Sequence, residues 1–299
     1  MVKEITVISG KGGTGKTSLA ASLVSLAENT AVADCDVDAA DLHLVLNPRV
    51  EQVNDFSGGK SSAIMPDKCT GCGKCHELCR FGAVVKNTGQ KTVFTIDPIA
   101  CEGCGVCSYF CPEKAIEFKQ AVNGQWFISS TRYGPMVHAK LGIAQENSGK
   151  LVSLVRSQVK IIAEEKGLPY IIVDGPPGIG CPVIASVTGT DCALIVTEPT
   201  LSGQHDLERV VKLINFFKIP AYLCINKFDI NPEMSDIIEK KAMAAGVKVV
   251  GRVHYDRNVT GAQVKKLPVV EMPNTPAAAD VRTMWSNLLQ EITAATKVS

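Results

Sequence analysis

The sequence lacks both a strong charge imbalance and any long hydrophobic run. Its 299 residues include 31 Lys and Arg and 30 Asp and Glu, a formal net charge of +1, so no overall basic field exists to attract nucleic acid or acidic lipid. No stretch approaches the roughly 18 apolar residues of a membrane helix, and residues 1–10 have neither the basic start nor the apolar run of a secretory signal. We therefore expect a soluble, cytoplasmic protein with no nucleic-acid partner and no membrane anchor.

Hydrophobic residues make up 45% of the chain, which excludes a disordered protein. Short apolar runs, which predict strands, alternate with segments of helical periodicity. The predicted strands are residues 4–8, 30–33, 170–173, 192–196, 221–225 and 247–250, and the predicted helices are 18–27, 204–217 and 232–245. This alternation, with polar residues gathered at the carboxyl ends of the strands, predicts an α/β fold: a doubly wound, mostly parallel sheet with helices on both faces.

The first predicted strand runs directly into a glycine-rich loop, Gly10-Lys-Gly-Gly-Thr-Gly-Lys-Thr17. This is the full Walker A pattern, in the strand-to-helix context that gives the pattern its meaning. Its glycines let backbone N–H groups turn towards phosphates, Lys16 supplies charge to the β- and γ-phosphates, and the Thr17 hydroxyl can reach Mg²⁺. The predicted nucleotide-binding residues of the loop are Gly10, Gly12, Gly13, Thr14, Gly15, Lys16, Thr17 and Ser18.

A second lysine, Lys11, directly follows the first glycine of the loop and indicates a particular class of P-loop protein. The loop resembles the deviant Walker A of the MinD/ParA/Mrp and nitrogenase iron-protein superfamily. In that superfamily the early lysine crosses a nucleotide-sandwich dimer and touches the partner's phosphates. The resemblance therefore implies catalytic roles for Lys11 and Lys16, Mg-ATP or Mg-ADP as ligand, slow ATP hydrolysis, and either a homodimer or a dimer with a related paralogue.

The resemblance extends to the two switch segments. Residues 34–38 are similar to switch I, in which Asp36 is the best match for the catalytic carboxylate that orients the attacking water and the Mg²⁺ shell. For Asp38, solvation is an equally good explanation. Residues 174–178 are similar to Walker B with switch II. The resemblance implies that Asp174 holds Mg²⁺ with Thr17 and Asp36, and that Gly178 donates its N–H to the γ-phosphate.

The base-binding part of the family's site has weaker matches. Asn226 and Lys227 follow a predicted strand and resemble the base-recognition segment, with Asn226 pairing to adenine. Residues 254–257 lie where the family has its second adenine-facing loop, although a plain surface turn explains them equally well.

Eight of the twelve cysteines fall in two equally spaced runs, Cys69-x-x-Cys72-x-x-Cys75-x-x-x-Cys79 and Cys101-x-x-Cys104-x-x-Cys107-x-x-x-Cys111-Pro112. Cysteines grouped this tightly in a chain without an export signal indicate metal ligation rather than disulfides. The spacing matches bacterial ferredoxins, in which the first three cysteines of a run hold one [4Fe–4S] cluster and the fourth reaches the other cluster. Cluster one would take Cys69, Cys72, Cys75 and Cys111, and cluster two would take Cys101, Cys104, Cys107 and Cys79. Zinc, the alternative, does not need two sets of four at identical spacing.

The cysteine runs interrupt the alternation of strands and helices. We therefore predict a discontinuous P-loop ATPase domain, residues 1–58 and 123–299, with an inserted α+β domain of the 2[4Fe–4S] ferredoxin type at residues 59–122. With this insertion the whole chain resembles the MinD-superfamily ATPases that carry a ferredoxin domain.

The remaining cysteines and one polar segment carry smaller predictions. Cys192 and Cys224 are expected to be buried thiols in strands. Cys181 lies where the nitrogenase iron protein has one of its two cluster-bridging cysteines, but a packed thiol is the main expectation. The polar stretch 133–150 is interpreted as a partner-facing loop, with His138 as a core residue inside an apolar run.

Two functions remain open from the sequence. In the first, ATP-driven dimer rearrangement gates electron transfer from the clusters to a partner protein, because the insertion directly follows switch I. In the second, the protein is an ATP-dependent carrier or scaffold for Fe–S or related metal cofactors, although complete cysteine sets argue against easy release. A third function, a ParA-like positioning switch, needs a basic DNA face or a membrane helix, and the sequence has neither.

Overall fold

The computed structural model describes residues 2–87, 93–142 and 148–296. The chain divides into two compact units: the first comprises residues 1–53, 126–140 and 148–299, and the second comprises residues 54–125 and 141–147.

The regular elements follow in chain order. The strands are β1 (Lys3–Ser9), β2 (Thr30–Asp34), β3 (Arg49–Phe56), β4 (Gly59–Ile64), β5 (Val84–Asn87), β6 (Val93–Ile96), β7 (Ile116–Ala121), β8 (Gly124–Ser130), β9 (Pro135–Leu141), β10 (Tyr170–Pro177), β11 (Cys192–Thr197), β12 (Ala221–Asn226) and β13 (Lys248–Val253). The helices are α1 (Lys16–Leu26), α2 (Leu42–Leu46), α3 (Lys74–Leu78), α4 (Val106–Tyr109), α5 (Ser148–Glu165), α6 (Cys181–Val187), α7 (Leu201–Phe216), α8 (Pro232–Ala244), α9 (Asn258–Val264) and α10 (Pro276–Thr296). Two 3₁₀ helices cover Phe228–Ile230 and Val269–Glu271.

The largest sheet has nine strands in the order β13-β12-β11-β1-β10-β2-β9-β8-β3, and its pairings from β13 to β9 are parallel. Successive side chains of a strand point to opposite faces of the sheet. In β1, Ile5 and Val7 join a buried cluster with residues of α1, α2 and α10, whereas Ile8 joins a second cluster with residues of α6, α7 and α8. The predicted α/β fold, with a mostly parallel sheet covered on both faces, is confirmed.

The interpretation of residues 133–150 as a partner-facing loop is wrong for the strand β9. Met136, Val137 and Ala139 are buried in that strand, which pairs with β2. His138 is only 9% exposed, and its Nε2 lies 2.9 Å from the Ser129 hydroxyl, so its prediction as a core residue is confirmed. Residues 143–147 of the same prediction lie outside the described residues.

The described part of the second unit contains two separate antiparallel strand pairs, β4 with β7 and β5 with β6. Each cysteine run contains one short helix, α3 or α4, and is followed by one of these strands, β5 or β7. The unit therefore consists of two similar halves, each with a cysteine run, a short helix and a strand pair.

Candidate functional site

The phosphate loop connects β1 to α1, and its glycines are required by its backbone and its neighbours. Gly13 and Gly15 have left-handed φ angles of 80° and 88°, a conformation that glycine adopts without steric cost. A Cβ at Gly15 would lie 2.3 Å from Nδ2 of Asn226. The same Asn226 amide donates a 2.7 Å hydrogen bond to the Thr14 carbonyl, so it braces the loop from the end of β12.

Lys16 lies at the start of α1, buried among carboxylates. Its Nζ donates a 2.6 Å hydrogen bond to Asp174 Oδ1 and lies 3.6 Å from Asp36 Oδ2. Burial opposes the charge of Lys16, but the Asp174 and Asp36 carboxylates outweigh it and raise the pKa of the ammonium group. Burial raises the pKa of Asp36, and Lys16 opposes that change. The structure thus brings together three residues that the sequence placed in one site.

Asp34 is a residue of this group that the sequence interpretation did not assign. It is paired with Asp174 in the register of β2 and β10 and is fully buried. Its carboxylate accepts the N–H groups of Asp36, at 3.2 Å, and Leu42, at 3.3 Å, and so holds both ends of the loop that carries Asp36. Burial and then the Asp174 carboxylate raise the pKa of Asp34 well above its ordinary value. The sequence did contain a signal for this role, because Asp34 is the last residue of β2, the strand that pairs with the Asp174 strand β10.

Lys11 is held by a second carboxylate that the sequence did not indicate, Glu198. Lys11 Nζ lies 2.7 Å from Glu198 Oε1 and donates a 2.8 Å hydrogen bond to the Ser202 hydroxyl. Lys227 Nζ lies 3.2 Å from Glu198 Oε2 and 3.2 Å from the Gly13 carbonyl oxygen. Partial burial opposes ionisation of Glu198, but the two lysines hold its pKa below the ordinary value. Lys11 therefore contacts its own chain in this structure.

A pocket of about 240 Å³ opens beside the phosphate loop, where a base would be expected. It is bounded by the start of α1, by Asn226 and Lys227, by the loop His254–Asp256 and by α9. Ser18 lines it and accepts a 2.9 Å hydrogen bond from Gln263. The arrangement brings residues 254–256 of the predicted second base loop to the same pocket as Asn226.

Within the described residues, the site has buried polar atoms without partners that could bind a magnesium nucleotide. Thr14 Oγ1 and Asp174 Oδ2, both beside the phosphate loop, are buried and have no hydrogen-bond partner in the described part of the chain. Buried polar atoms are normally paired, so both are open to a ligand. Gly178 donates its N–H to the Ser9 carbonyl at 2.8 Å and has a φ of 96°. Asp38 is exposed.

The eight clustered cysteines lie in the second unit and have intermediate or high exposure. Both runs use glycine in the same places: Gly71 and Gly73 have φ of 76° and 80°, and Gly103 and Gly105 have φ of 60° and 75°. The four cysteines predicted for cluster two line one cavity: Cys79, Cys101, Cys104 and Cys107. This cavity joins the fourth cysteine of the first run to the first three of the second run.

The cysteines of the predicted cluster one are described by individual contacts rather than by one shared cavity. Cys111 Sγ accepts a 3.3 Å hydrogen bond from the Ala115 backbone N–H. Burial raises the pKa of the Cys75 thiol, with smaller contributions from Cys107 and Cys69. Within residues 2–87, 93–142 and 148–296, no three Asp, Glu, His or Cys side chains are arranged to hold a metal ion.

The other four cysteines are not grouped. Cys192 and Cys224 are buried in β11 and β12, as predicted, and burial raises the pKa of each thiol to about 12. Cys35 is fully buried. Cys181 is exposed, so the expectation of a packed thiol is wrong: it is the first residue of α6, and the buried residues of that helix are Val183, Ser186 and Val187. Among the described residues, no helix is long and apolar enough to cross a membrane.

A parallel sheet whose first strand leads into a Walker A loop, with carboxylates at the ends of two neighbouring strands, defines a P-loop nucleotide-binding protein. The chain belongs to the CobQ/CobB/MinD/ParA nucleotide-binding domain family, whose model matches residues 5–269.

Relatives and solved structures agree with this family. An uncharacterised protein from Methanocaldococcus jannaschii is 34% identical over 234 residues, which is 77% of this chain and 80% of the relative. An iron-sulfur cluster carrier protein from Pyrococcus horikoshii is 28% identical over 158 residues, 48% of this chain and 53% of the relative. The septum site-determining protein MinD complexed with Mg-ADP, from P. horikoshii, has a TM-score of 0.58 at 17% identity over 96% of each chain. At that identity the structural similarity shows the fold alone.

Proposed function

We propose that this protein binds Mg-ATP, hydrolyses it slowly and carries two [4Fe–4S] clusters, and that its nucleotide state controls electron transfer to a partner protein. The observation that carries the proposal is the cavity that joins Cys79 to Cys101, Cys104 and Cys107, because a fourth ligand from the other run is what a two-cluster ferredoxin needs. A bound [4Fe–4S] cluster supplies a site for one-electron transfer.

At the phosphate loop, the Walker A pattern and the family resemblance give each residue a role, and the present contacts are compatible with those roles. Lys16 exchanges its bond to Asp174 for the β- and γ-phosphates, which frees both Asp174 oxygens to hold the Mg²⁺ shell together with Thr17. Asp36 orients the attacking water, and the hydrogen bonds to Asp34 hold the Asp36 backbone in position. Nucleotide binding is thus coupled to the chain segment that precedes the cysteine unit in sequence.

A dimer completes the proposed site. Lys11 leaves Glu198 and reaches the phosphates bound by the other subunit, and Lys227 keeps Glu198 paired when it does so. The second subunit is another copy of this chain or a paralogue. A paralogue as the second subunit is supported by two relatives from M. jannaschii, 34% and 30% identical to this chain. These two relatives show that chains of this kind occur together in one organism.

The test is an anaerobic redox titration followed by EPR, without nucleotide, with Mg-ADP and with a non-hydrolysable Mg-ATP analogue. We expect a nucleotide-dependent potential shift above ~30 mV, which is ~0.7 kcal/mol for a one-electron couple. Lys16→Ala is the matched control, because it keeps the cysteines and removes the phosphate-binding ammonium; its potentials should not respond to nucleotide. Identical potentials in all three states of the unmodified protein would contradict coupling, and absence of any [4Fe–4S] signal would contradict the cluster proposal itself.

A second candidate is an ATP-dependent Fe–S carrier. It is supported by three Pyrococcus relatives that are named iron-sulfur cluster carrier proteins and match about half of this chain. It predicts that the reconstituted protein transfers iron and sulfide to an apo-ferredoxin faster with Mg-ATP than without. Retention of both clusters during incubation with a chelator and the acceptor would argue against it.

A further inference from the structure

Two glycines of the second cysteine run pack closely against the strand pair β4 and β7, Gly103 against β4 and Gly105 against β7. A Cβ on Gly103 would lie 2.0 Å from the Lys60 carbonyl oxygen, and a Cβ on Gly105 would lie 2.9 Å from the Phe118 ring. Since β4 also pairs with β7 in continuous register from Gly59 to Ile64, the side chains of β4 have defined positions relative to this run.

One of those side chains is a buried serine beside a cysteine sulfur. Ser62 is 8% exposed and lines the same cavity as Cys79, Cys101, Cys104 and Cys107. Its Oγ lies 3.5 Å from Cys107 Sγ, and with a free thiol it is the sulfur that donates. Among the described residues, the Ser62 hydroxyl has no other hydrogen-bond partner.

Ligation reverses the direction of this hydrogen bond. A cysteine that binds iron does so as a thiolate, so it has lost the proton that it donates here and can only accept. Ser62 has both a donor and two acceptor positions and can turn its O–H towards the sulfur. The contact therefore persists after ligation only with Ser62 as the donor.

Among the described residues, the four cysteines predicted for cluster one have no equivalent contact with a hydroxyl. The sulfur of Cys111, which belongs to the cluster one set, accepts from the Ala115 backbone N–H. In the part of the chain that the structure describes, no side-chain hydroxyl is hydrogen-bonded to any other clustered cysteine. The two clusters would therefore have different hydrogen-bonding surroundings even though their cysteine spacings are identical.

We infer that the Ser62 hydroxyl donates to the Cys107 sulfur of cluster two and raises the reduction potential of that cluster. This inference rests on the proposed cluster assignment. Reduction adds one electron and makes the ligand sulfurs more negative, so a hydrogen bond to a sulfur stabilises the reduced state more than the oxidised state. Ser62 is thus a positioning and tuning residue and not a ligand.

The test compares Ser62→Ala with Ser61→Ala. Ser61 precedes Ser62 on β4, and neighbouring strand residues point to opposite faces, so this control removes a hydroxyl from the same strand without changing the Cys107 contact. We expect Ser62→Ala to weaken reduction of cluster two about tenfold, which is a fall of ~59 mV for a one-electron couple. Ser61→Ala should titrate like the unmodified protein, and Ser62→Thr, which keeps the hydroxyl, should also do so.

A second readout separates tuning from folding. Deuterium ENDOR of the reduced protein in heavy water should detect an exchangeable deuteron coupled to cluster two, and Ser62→Ala should lose it. Equal potentials in Ser62→Ala and Ser61→Ala, with both clusters present, would overturn the inference, as would loss of cluster two from Ser62→Ala alone, which would assign Ser62 a structural role. Absence of [4Fe–4S] signals from the unmodified protein would instead reject the cluster assignment, and the inference with it.

Discussion

Helix α1 of the first unit buries Leu19, Leu23 and Val24, whereas helices α3 and α4 of the second unit bury no residue. The first unit has an extended cluster of buried apolar side chains on each face of its sheet. The described part of the second unit has a short set of buried hydrophobic residues: Phe56, Ala83, Val84, Phe94, Ala115 and Ile116.

This difference indicates that the two units are stabilised by different interactions. Full burial of a Val, Leu or Phe side chain contributes about 1.5–3 kcal/mol, and the first unit gains this many times over. The short helices of the cysteine runs contain no fully buried residue and gain far less from apolar burial. In the proposed holoprotein their stability comes from iron–thiolate bonds, which couple ligand binding to folding.

The largest expected effect comes from removing the proposed clusters. After anaerobic purification, treatment with ferricyanide and EDTA should lower the opening free energy of β4, β5, β6 and β7 to near zero. The first unit should keep its protection, because its core contains no cysteine of the two runs. Hydrogen exchange read by mass spectrometry measures both units in one sample, and equal protection of the second unit before and after treatment would contradict this account.

The next largest effect is expected in the first unit, from Lys16→Ala. The change leaves Asp174 buried without its cation, and breaking a buried pair in this way costs about 3–5 kcal/mol. For a domain of this size we expect a fall in Tm of roughly 6–20 °C, together with loss of nucleotide binding by calorimetry. Lys11→Ala is the control: its pair with Glu198 is partly exposed and should cost about 0–1 kcal/mol. Equal Tm values for the two variants would reject the role of the buried ion pair.

A matched pair of glycines tests the packing of the second unit. Gly82 and Gly103 have similar φ angles, 65° and 60°, but a Cβ on Gly82 would meet nothing within 4 Å. Alanine at either position costs about 1–2 kcal/mol of backbone strain. Only Gly103→Ala also forces β4 away from the cysteine run, so it should lower the iron content by about half, the share of one of the two clusters. Iron analysis of the two variants checks this, and equal iron contents would refute it.

The smallest expected effect is a pH dependence of the first unit. Burial, with a smaller contribution from His43, lowers the pKa of His138 to about 4. The unfolded chain takes up this proton near pH 6.5, so stability is fully present above that pH and falls as the pH drops towards 4, by about 1–3 kcal/mol. His138→Gln should flatten this slope in hydrogen exchange of β9, whereas His205→Gln, at an exposed side chain, should leave it unchanged. Identical slopes in all three proteins would contradict the assignment.

The sequence predicted six of the nine strands of the described sheet, β1, β2 and β10 to β13, because each is a short apolar run. It did not predict β3, β8 or β9. The prediction for residues 4–8 became Lys3–Ser9, and that for 192–196 became Cys192–Thr197. It failed at β9, which starts with proline and contains a histidine, because the Ser129 partner of His138 is contributed by a neighbouring strand. A polar residue can be buried when tertiary structure supplies its hydrogen bond.

The nucleotide site likewise contains residues that local patterns predicted and residues that they did not. Lys16, Asp36 and Asp174 were predicted from local patterns, and the structure brings them together. Glu198 was not assigned, since its role depends on a contact that no local motif records. Asp34 was not assigned although it ends a strand and its hydrogen bonds are local. Glu198 lies far along the chain from Lys11, and only the arrangement of β1 beside β11 brings that segment to the phosphate loop.

By itself the sequence determined the family, the phosphate loop and the spacing of the two cysteine runs, because each depends on residues that are close together in the chain. Only the tertiary structure decided which carboxylates hold Lys11 and Lys16 and that Ser62 lies beside Cys107. These contacts join residues distant in sequence, and their energies depend on burial and distance, which are properties of the packed fold.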